Sequence, residues 1–225
     1  MRHIKTIALT TVASVAMLAI PAFAAVSPVT ATYKANYMGM SATGKMEVSA
    51  VGGGRYKTVL SVSNPLGFSS QVTVLDEKGG ELRPLSSVDS SKFMGKKSES
   101  KATYDCAKGI ASWEGNISDD KKGPTRMVAG DMDALLVNLA IVRDVNAGKS
   151  LDYRLLENGK AKPMKYSIAG KATITVAGKS VSATKVVGTG NKPIILWVAP
   201  GYDVPVKIEK VVDMGKMTLS LASID

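Results

Sequence analysis

One segment of the chain, from Asp131 to Gly148, has an apolar pattern unlike the rest. Asp131 is predicted to cap a helix, Asp133 adds negative charge to its first turn, and Gly148 can end it. A helix that is apolar nearly all round is buried between other elements. The pattern therefore predicts a buried central helix over residues 131–147. At 100° per residue its apolar side chains fall on two opposite sides, with Met132, Leu135, Leu136, Leu139 and Val142 on one, and Val137, Ile141 and Val145 on the other.

Most of the remaining chain alternates between apolar and polar residues. Residues 55–63 show this best, because Tyr56, Thr58, Leu60 and Val62 fall on one face. Alternation with a period of two is typical of half-buried antiparallel strands. Strands are predicted over residues 33–38, 44–50, 55–63, 68–76, 82–88, 97–105, 110–113, 151–156, 160–168, 172–177, 180–187, 194–198, 204–212 and 217–224.

The turns between these strands decide the fold class. Asn158-Gly159 is the strongest two-residue hairpin signal, and Gly178-Lys179 marks a second turn. No crossover helix separates consecutive strands, which excludes a parallel α/β sheet. We therefore expect a mainly β fold: a curved antiparallel sheet or open β-barrel with one buried central helix.

The first 24 residues have the pattern of a secretory signal peptide. Arg2, His3 and Lys5 precede an uncharged, mostly apolar run over residues 6–20, and Ala22-Phe23-Ala24 forms a small-x-small cleavage site. Cleavage after Ala24 would leave residues 25–225 as one β-rich domain. The expected location is the periplasm.

The excess of basic side chains suggests the class of partner. The formal net charge is +10, and without Arg2 and Lys5 it is +8. A basic surface favours anionic lipid or glycan, whereas export argues against nucleic acid. The predicted anion contacts are Lys92, Lys96, Lys97 and Lys101. Alternatively, these lysines protect an exposed sheet edge from pairing with another chain.

The residue types needed for common catalytic sites are scarce. His3 is the only histidine and leaves with the signal peptide, and Cys106 is the only cysteine. The mature chain therefore has no Ser-His-Asp triad, no Cys-His pair and no histidine-ligated zinc site. Asp131 and Asp133 are two positions apart, so their side chains do not face each other on a helix. We expect no catalytic residue, metal or cofactor.

The stretch from residue 194 to residue 209 resembles a known family. Trp197 on a late apolar strand, followed by Pro205-Val206-Lys207-Ile208-Glu209, is similar to the exported bacterial proteins of domain of unknown function 3108. The resemblance implies a signal peptide, a β-rich chain and a central helix that begins at an aspartate. It implies no activity. The rhythm of strands is also similar to the open barrels of periplasmic lipoprotein carriers.

Two functional hypotheses follow from these patterns. In the first, an exported, non-enzymatic protein binds an apolar or amphiphilic, lipid-like ligand between the helix and the sheet. In the second, a structural or interaction protein of the envelope uses a basic docking surface for anionic lipid, glycan or a protein partner. Core packing is the alternative role for the candidate ligand contacts, which are Met132, Leu135, Leu139, Val142 and Trp197.

Overall fold

The computed structural model describes residues 26–37, 39–212 and 215–225, so the predicted signal peptide lies outside the described residues. The strands are β1 (Val29–Tyr37), β2 (Met40–Gly52), β3 (Arg55–Asn64), β4 (Gly67–Lys78), β5 (Glu81–Phe93), β6 (Lys96–Asp105), β7 (Ile110–Gly115), β8 (Thr125–Arg126), β9 (Asp131–Met132), β10 (Asp152–Glu157), β11 (Lys160–Val176), β12 (Lys179–Gly188), β13 (Ile194–Val198), β14 (Lys207–Val212) and β15 (Gly215–Ile224). A short 3₁₀ helix covers Asp119–Lys121, and one α-helix, α1, covers Ala134–Asn146.

All 15 strands belong to one sheet, which runs from β8 through β7 to β1, then through β15 to β9. Neighbouring strands are antiparallel except β9 and β10, which are parallel. The two ends of the sheet lie close together. The Thr125 hydroxyl in β8 donates a hydrogen bond of 2.7 Å to the Gly159 carbonyl in the β10–β11 turn. No backbone ladder joins the ends among the described residues, so the sheet is curved but not closed. The predicted fold class is confirmed.

The helix begins later than the sequence suggested. Its N-cap is Asp133, whose carboxylate accepts a hydrogen bond of 2.8 Å from the Leu136 backbone N–H. The prediction of Asp131 as the cap was wrong. Asp131 lies in β9 and accepts a hydrogen bond of 2.7 Å from Arg154. Gly148 follows the helix with φ of +64°, as expected of a residue that ends a helix in the left-handed region.

The helix lies against the inner, concave face of the sheet. Nine of its residues are buried, and its two apolar sides both contact the main core. Leu136 and Ile141 are fully buried, as are Leu196 on β13 and Met46 on β2. The expectation of a buried central helix is therefore confirmed. Among the described residues, no helix has the length and apolar character needed to cross a bilayer.

Two details of the C-terminal half differ from the predicted strands. Residues 160–168 and 172–177 are parts of one 17-residue strand, β11, which is bent by a bulge between Ile168 and Lys171. Gly170 has φ of +108° in this bulge, a backbone conformation that glycine adopts readily. Asn158-Gly159 forms the expected turn, with φ of 50° and 73°.

A buried hydrogen bond connects β1 to the loop before β14. The Tyr33 side chain is 1% exposed, and its hydroxyl donates a hydrogen bond of 2.8 Å to the Pro205 carbonyl. A buried carbonyl that loses its donor costs free energy, because no water replaces that donor. This contact therefore holds the loop after β13 against the inner face.

We predict that Tyr33→Phe lowers the free energy of unfolding by about 1–3 kcal/mol, because the Pro205 carbonyl is left without its donor. Chemical denaturation of the mature chain measures this loss. The control is Tyr56→Phe, since the half-buried Tyr56 makes no side-chain hydrogen bond among the described residues. Equal effects of the two changes would contradict the prediction.

Candidate functional site

A groove of about 930 Å³ opens at the end of the sheet where β4 turns into β5 and β6 turns into β7. Its third side is the segment that links β8 to β9, residues 127–130. This volume is typical of small-molecule binding sites. The side chains that face it include Lys78, Pro84, Cys106, Ile110, Arg126 and Val128.

The groove has an apolar wall. Ile110 and Val128 are 37% and 46% exposed, which is unusual for large apolar residues within one concave surface. The Cys106 thiol donates a weak hydrogen bond of 3.6 Å to the Pro84 carbonyl. Burial raises the pKa of this thiol, and nearby Arg83 only partly opposes the effect. The neutral thiol is therefore favoured, and it forms part of the wall.

The charges around the groove divide into paired and unpaired groups. Arg83 donates two hydrogen bonds to Asp76, of 2.8 and 2.6 Å, and Lys108 lies 3.3 Å from Asp105. In contrast, neither Lys78 nor Arg126 forms an ion pair within the described part of the chain, although Glu81, opposite Lys78 across the β4–β5 turn, also lines the groove. Two cations near an exposed apolar wall suit a ligand with an apolar body and an anionic head.

A smaller, polar cavity of about 50 Å³ lies at the start of α1. The Asp133 carboxylate accepts a hydrogen bond of 2.6 Å from the Thr73 hydroxyl in addition to capping the helix. Burial raises the pKa of Asp133 to about 6, although these two hydrogen bonds favour the charged form. The volume is too small for an organic ligand. We therefore assign this cavity a structural role.

Other acidic and aromatic groups face the same polar cavity. Asp89 is exposed to solvent but lies on the concave face. Partial desolvation by the surrounding protein raises the pKa of Asp89, and the negative charge of Glu157 raises it further. The hydroxyls of Ser87 and Tyr104 are hydrogen-bonded at 3.1 Å, and the Tyr104 ring packs edge-on against another aromatic ring. The carboxylates of Asp89, Glu157 and Asp133 therefore repel each other across the inner face.

Four of the five predicted ligand contacts lie together in the core. Met132, Leu135, Leu139 and Val142 are only 1–7% exposed. They do not line the groove. A ligand could contact them only if the helix moved away from the sheet.

Trp197, the fifth predicted contact, is 5% exposed and belongs to the same apolar cluster, but it does not line the groove. Strand alternation places it on the face of β13 opposite to the inward-facing Leu196. Its cross-strand neighbours are Lys185 and Lys207, whose Nζ atoms lie 5.8 and 4.6 Å from the ring centroid. Glu209 pairs with Lys207 at 2.7 Å. Trp197 therefore packs beneath lysine side chains on the outer face.

The predicted anion contacts also divide. Lys92, Lys96 and Lys97 surround the β5–β6 turn and are exposed. Lys101 lies farther along β6 and forms an ion pair of 3.3 Å with Glu99. Elsewhere, no group of three or more metal-ligating side chains occurs within residues 26–37, 39–212 and 215–225.

Sequence reasoning did not identify the groove. One signal was present: the apolar pair Met127-Val128 interrupts an otherwise polar and glycine-rich connection before the helix. Large apolar residues in a loop indicate either burial or binding. Met127 is buried, whereas Val128 is exposed and faces the groove.

Comparison with known proteins agrees with the expected family. The model of the family described as "Protein of unknown function (DUF3108)" matches residues 32–222. The chain belongs to this family. No curated protein matches it.

One solved structure shares the fold at low sequence identity. The beta-barrel-like protein of domain of unknown function DUF1849 from Brucella abortus is 12% identical, with a TM-score of 0.55 over 89% of this chain and 98% of that chain. At this identity the likeness shows the fold alone.

Two further structures have lower scores. The Pseudomonas aeruginosa MucA/MucB complex is 12% identical, with a TM-score of 0.39 over 88% of this chain and 51% of that chain. A putative outer membrane lipoprotein-sorting protein domain from Vibrio parahaemolyticus is 11% identical, with a TM-score of 0.23 over 88% and 84%. These scores are too low to support a functional argument for the DUF3108 protein.

We predict that Asp133→Asn raises stability at pH 7 but not at pH 4. The folded-state pKa of about 6 lies above the ordinary value of 3.8, so the folded protein binds the proton more tightly than the unfolded chain. Stability from this group is therefore fully present below about pH 4 and is lost as pH rises towards 6. Asparagine keeps the cap without the charge.

Chemical denaturation of both proteins at several pH values tests this prediction. The difference in the free energy of unfolding should grow by about 1.4 kcal/mol per pH unit at most between those limits. Asp120→Asn, on the exposed Asp119–Lys121 turn, is the control and should show no such dependence. A pH-independent difference for Asp133→Asn would contradict the assignment.

Proposed function

We propose that this DUF3108 protein is a non-catalytic protein of the cell envelope that binds an amphiphilic ligand in the groove between the β4–β5 turn, the β6–β7 turn and residues 127–130. The observation that carries the proposal is the combination of ligand-sized volume with an exposed apolar wall and two unpaired cations. The envelope location rests on the predicted signal peptide, residues 1–24.

The chemistry of the groove favours an anionic amphiphile over a neutral polar ligand. Ile110 and Val128 gain by removing their apolar surface from water when an acyl chain covers them. Lys78 and Arg126 are close enough to the opening to pair with a carboxylate or phosphate head. A sugar would leave the apolar wall largely uncovered.

The groove replaces the helix–sheet interface as the proposed ligand site. The helix residues first considered are packed against the core, so opening that interface would expose a large apolar surface. A ligand can enter the groove without separating the helix from the sheet. It adjoins the strand that leads into the helix, because Asp131 of β9 lines it.

We predict that Val128→Glu weakens binding of a fluorescent fatty-acid probe by about tenfold or more, because it places a charge against the acyl chain. Fluorescence titration of the mature protein, delipidated after periplasmic expression, measures the dissociation constant. Val128 is exposed, so the change should leave the thermal unfolding temperature nearly unaltered.

Ile168→Glu is the matched control, because Ile168 is a β-branched apolar residue that is 60% exposed on β11, outside the groove. It should bind the probe as the unchanged protein does. Arg126→Gln should weaken binding of the fatty acid more than binding of the corresponding fatty alcohol, which has no negative charge. The proposal fails if the unchanged protein binds neither probe and native mass spectrometry finds no co-purified amphiphile.

A further inference from the structure

Four exposed apolar side chains lie at the end of the sheet opposite to the groove. They occupy both faces of the sheet, because Phe93 is paired with Gly67 and Phe68 with Lys92. Leu66 and Phe68 belong to the β3–β4 turn and the start of β4, and Phe93 and Met94 belong to the β5–β6 turn. They are 48%, 43%, 53% and 75% exposed, and they are four of the nine large apolar residues exposed in the described part of the chain. Scattered exposed apolar residues are ordinary, whereas four at one end of a sheet indicate an interaction surface. We call these two turns the tip.

The two turns of the tip are hydrogen-bonded to each other. Gly67 pairs with Phe93 across the strands, and the Met94 backbone N–H donates a hydrogen bond of 3.1 Å to the Leu66 carbonyl. The Asn64 side chain accepts hydrogen bonds from the backbone N–H groups of Leu66 and Gly67, at 2.9 and 3.1 Å. A Cβ atom at Gly67 would lie 1.9 Å from the Lys92 carbonyl oxygen, so only glycine allows this approach.

Met94 occupies a position that does not suit methionine. Its φ is 46°, and Gly95 follows with φ of 83°, so the turn has the backbone in which asparagine or glycine is preferred first. A long side chain in the left-handed region costs stability. Because Met94 is 75% exposed, it gains nothing from core packing in return.

Lysines without partners surround the apolar tip. Lys92, Lys96 and Lys97 are exposed, and none has a carboxylate partner in the described ranges of the chain. Lys92 and Lys97 are directly opposite each other on β5 and β6. Like charges in such a cross-strand pair repel each other, so the arrangement lowers the stability of the isolated protein. An anionic partner would remove this repulsion.

We propose that the tip docks on an anionic lipid bilayer, with Leu66, Phe68, Phe93 and Met94 entering the interfacial region and Lys92, Lys96 and Lys97 contacting lipid phosphates. A bilayer offers the apolar phase and the anionic surface side by side, as this tip requires. An acidic glycan would leave the four apolar side chains in water. The proposal is independent of the groove, which lies at the other end of β4.

Vesicle co-sedimentation of the mature protein tests the docking. Vesicles of phosphatidylcholine with a third of phosphatidylglycerol should bind the protein, and vesicles of phosphatidylcholine alone should bind it much less. Binding should weaken as salt rises, because the lysines act through screened charge. Equal binding to both vesicle types, or to neither, would overturn the proposal.

Met94→Asn separates docking from folding. Asparagine tolerates positive φ, so the variant should unfold at the same or a higher temperature. Loss of the inserted side chain should weaken binding to anionic vesicles by about tenfold. Val51→Asn is the matched control, because Val51 is 50% exposed near the β2–β3 turn at the opposite end. If Met94→Asn binds as tightly as the unchanged protein, apolar insertion is excluded.

Charge removal tests the second half of the proposal. Replacing Lys92, Lys96 and Lys97 together by glutamine should weaken binding to anionic vesicles on the order of 100-fold. A variant with glutamine at Lys34, Lys171 and Lys179 loses the same charge at exposed positions away from the tip. It should lose far less affinity. If the two triple variants lost equal affinity for anionic vesicles, net charge alone would explain binding, and the proposal that the tip is the docking site would be overturned.

Discussion

The buried carboxylate of Asp133 fixes the helix in the concave face of the sheet. Most of the helix surface is apolar, so packing alone leaves several rotations of the helix close in energy. Asp133 caps the helix and accepts a hydrogen bond from Thr73 on β4, which is possible in one orientation only. At the other end, Arg143 donates to the Gly80 carbonyl. The desolvation of Asp133 is the cost of this specificity.

The sequence was sufficient for features that depend on neighbouring residues. Alternation identified most strands, and Asn158-Gly159 identified a hairpin, because both signals are local. The choice between Asp131 and Asp133 as the cap was not local. Either can cap a helix, and the decision rests on Arg154, which pairs with Asp131 from a strand 23 residues away. Tertiary partners of that kind leave no mark in the pattern of one segment.

The proposed binding surfaces also combine features that are local in the sequence with features that depend on tertiary structure. The lysines of the tip are visible as a run in the sequence. However, only the pairing of β4 with β5 places Leu66 and Phe68 at the same end of the sheet as Phe93 and Met94. In contrast, the outward position of Trp197 could have been predicted. Strand alternation alone separates it from its neighbour Leu196, and thus from the helix.

The distance between tip and groove limits how the two can work together. β4 runs from Gly67 at the tip to Lys78 at the groove, which is 12 residues and roughly 35–40 Å of extended chain. A protein docked through the tip would hold the groove beyond the headgroups of that bilayer. An acyl chain could not then pass from the docked membrane into the groove without leaving the lipid phase. Ligand exchange at the groove would instead involve a soluble donor or a second protein, with the bilayer serving as the anchor.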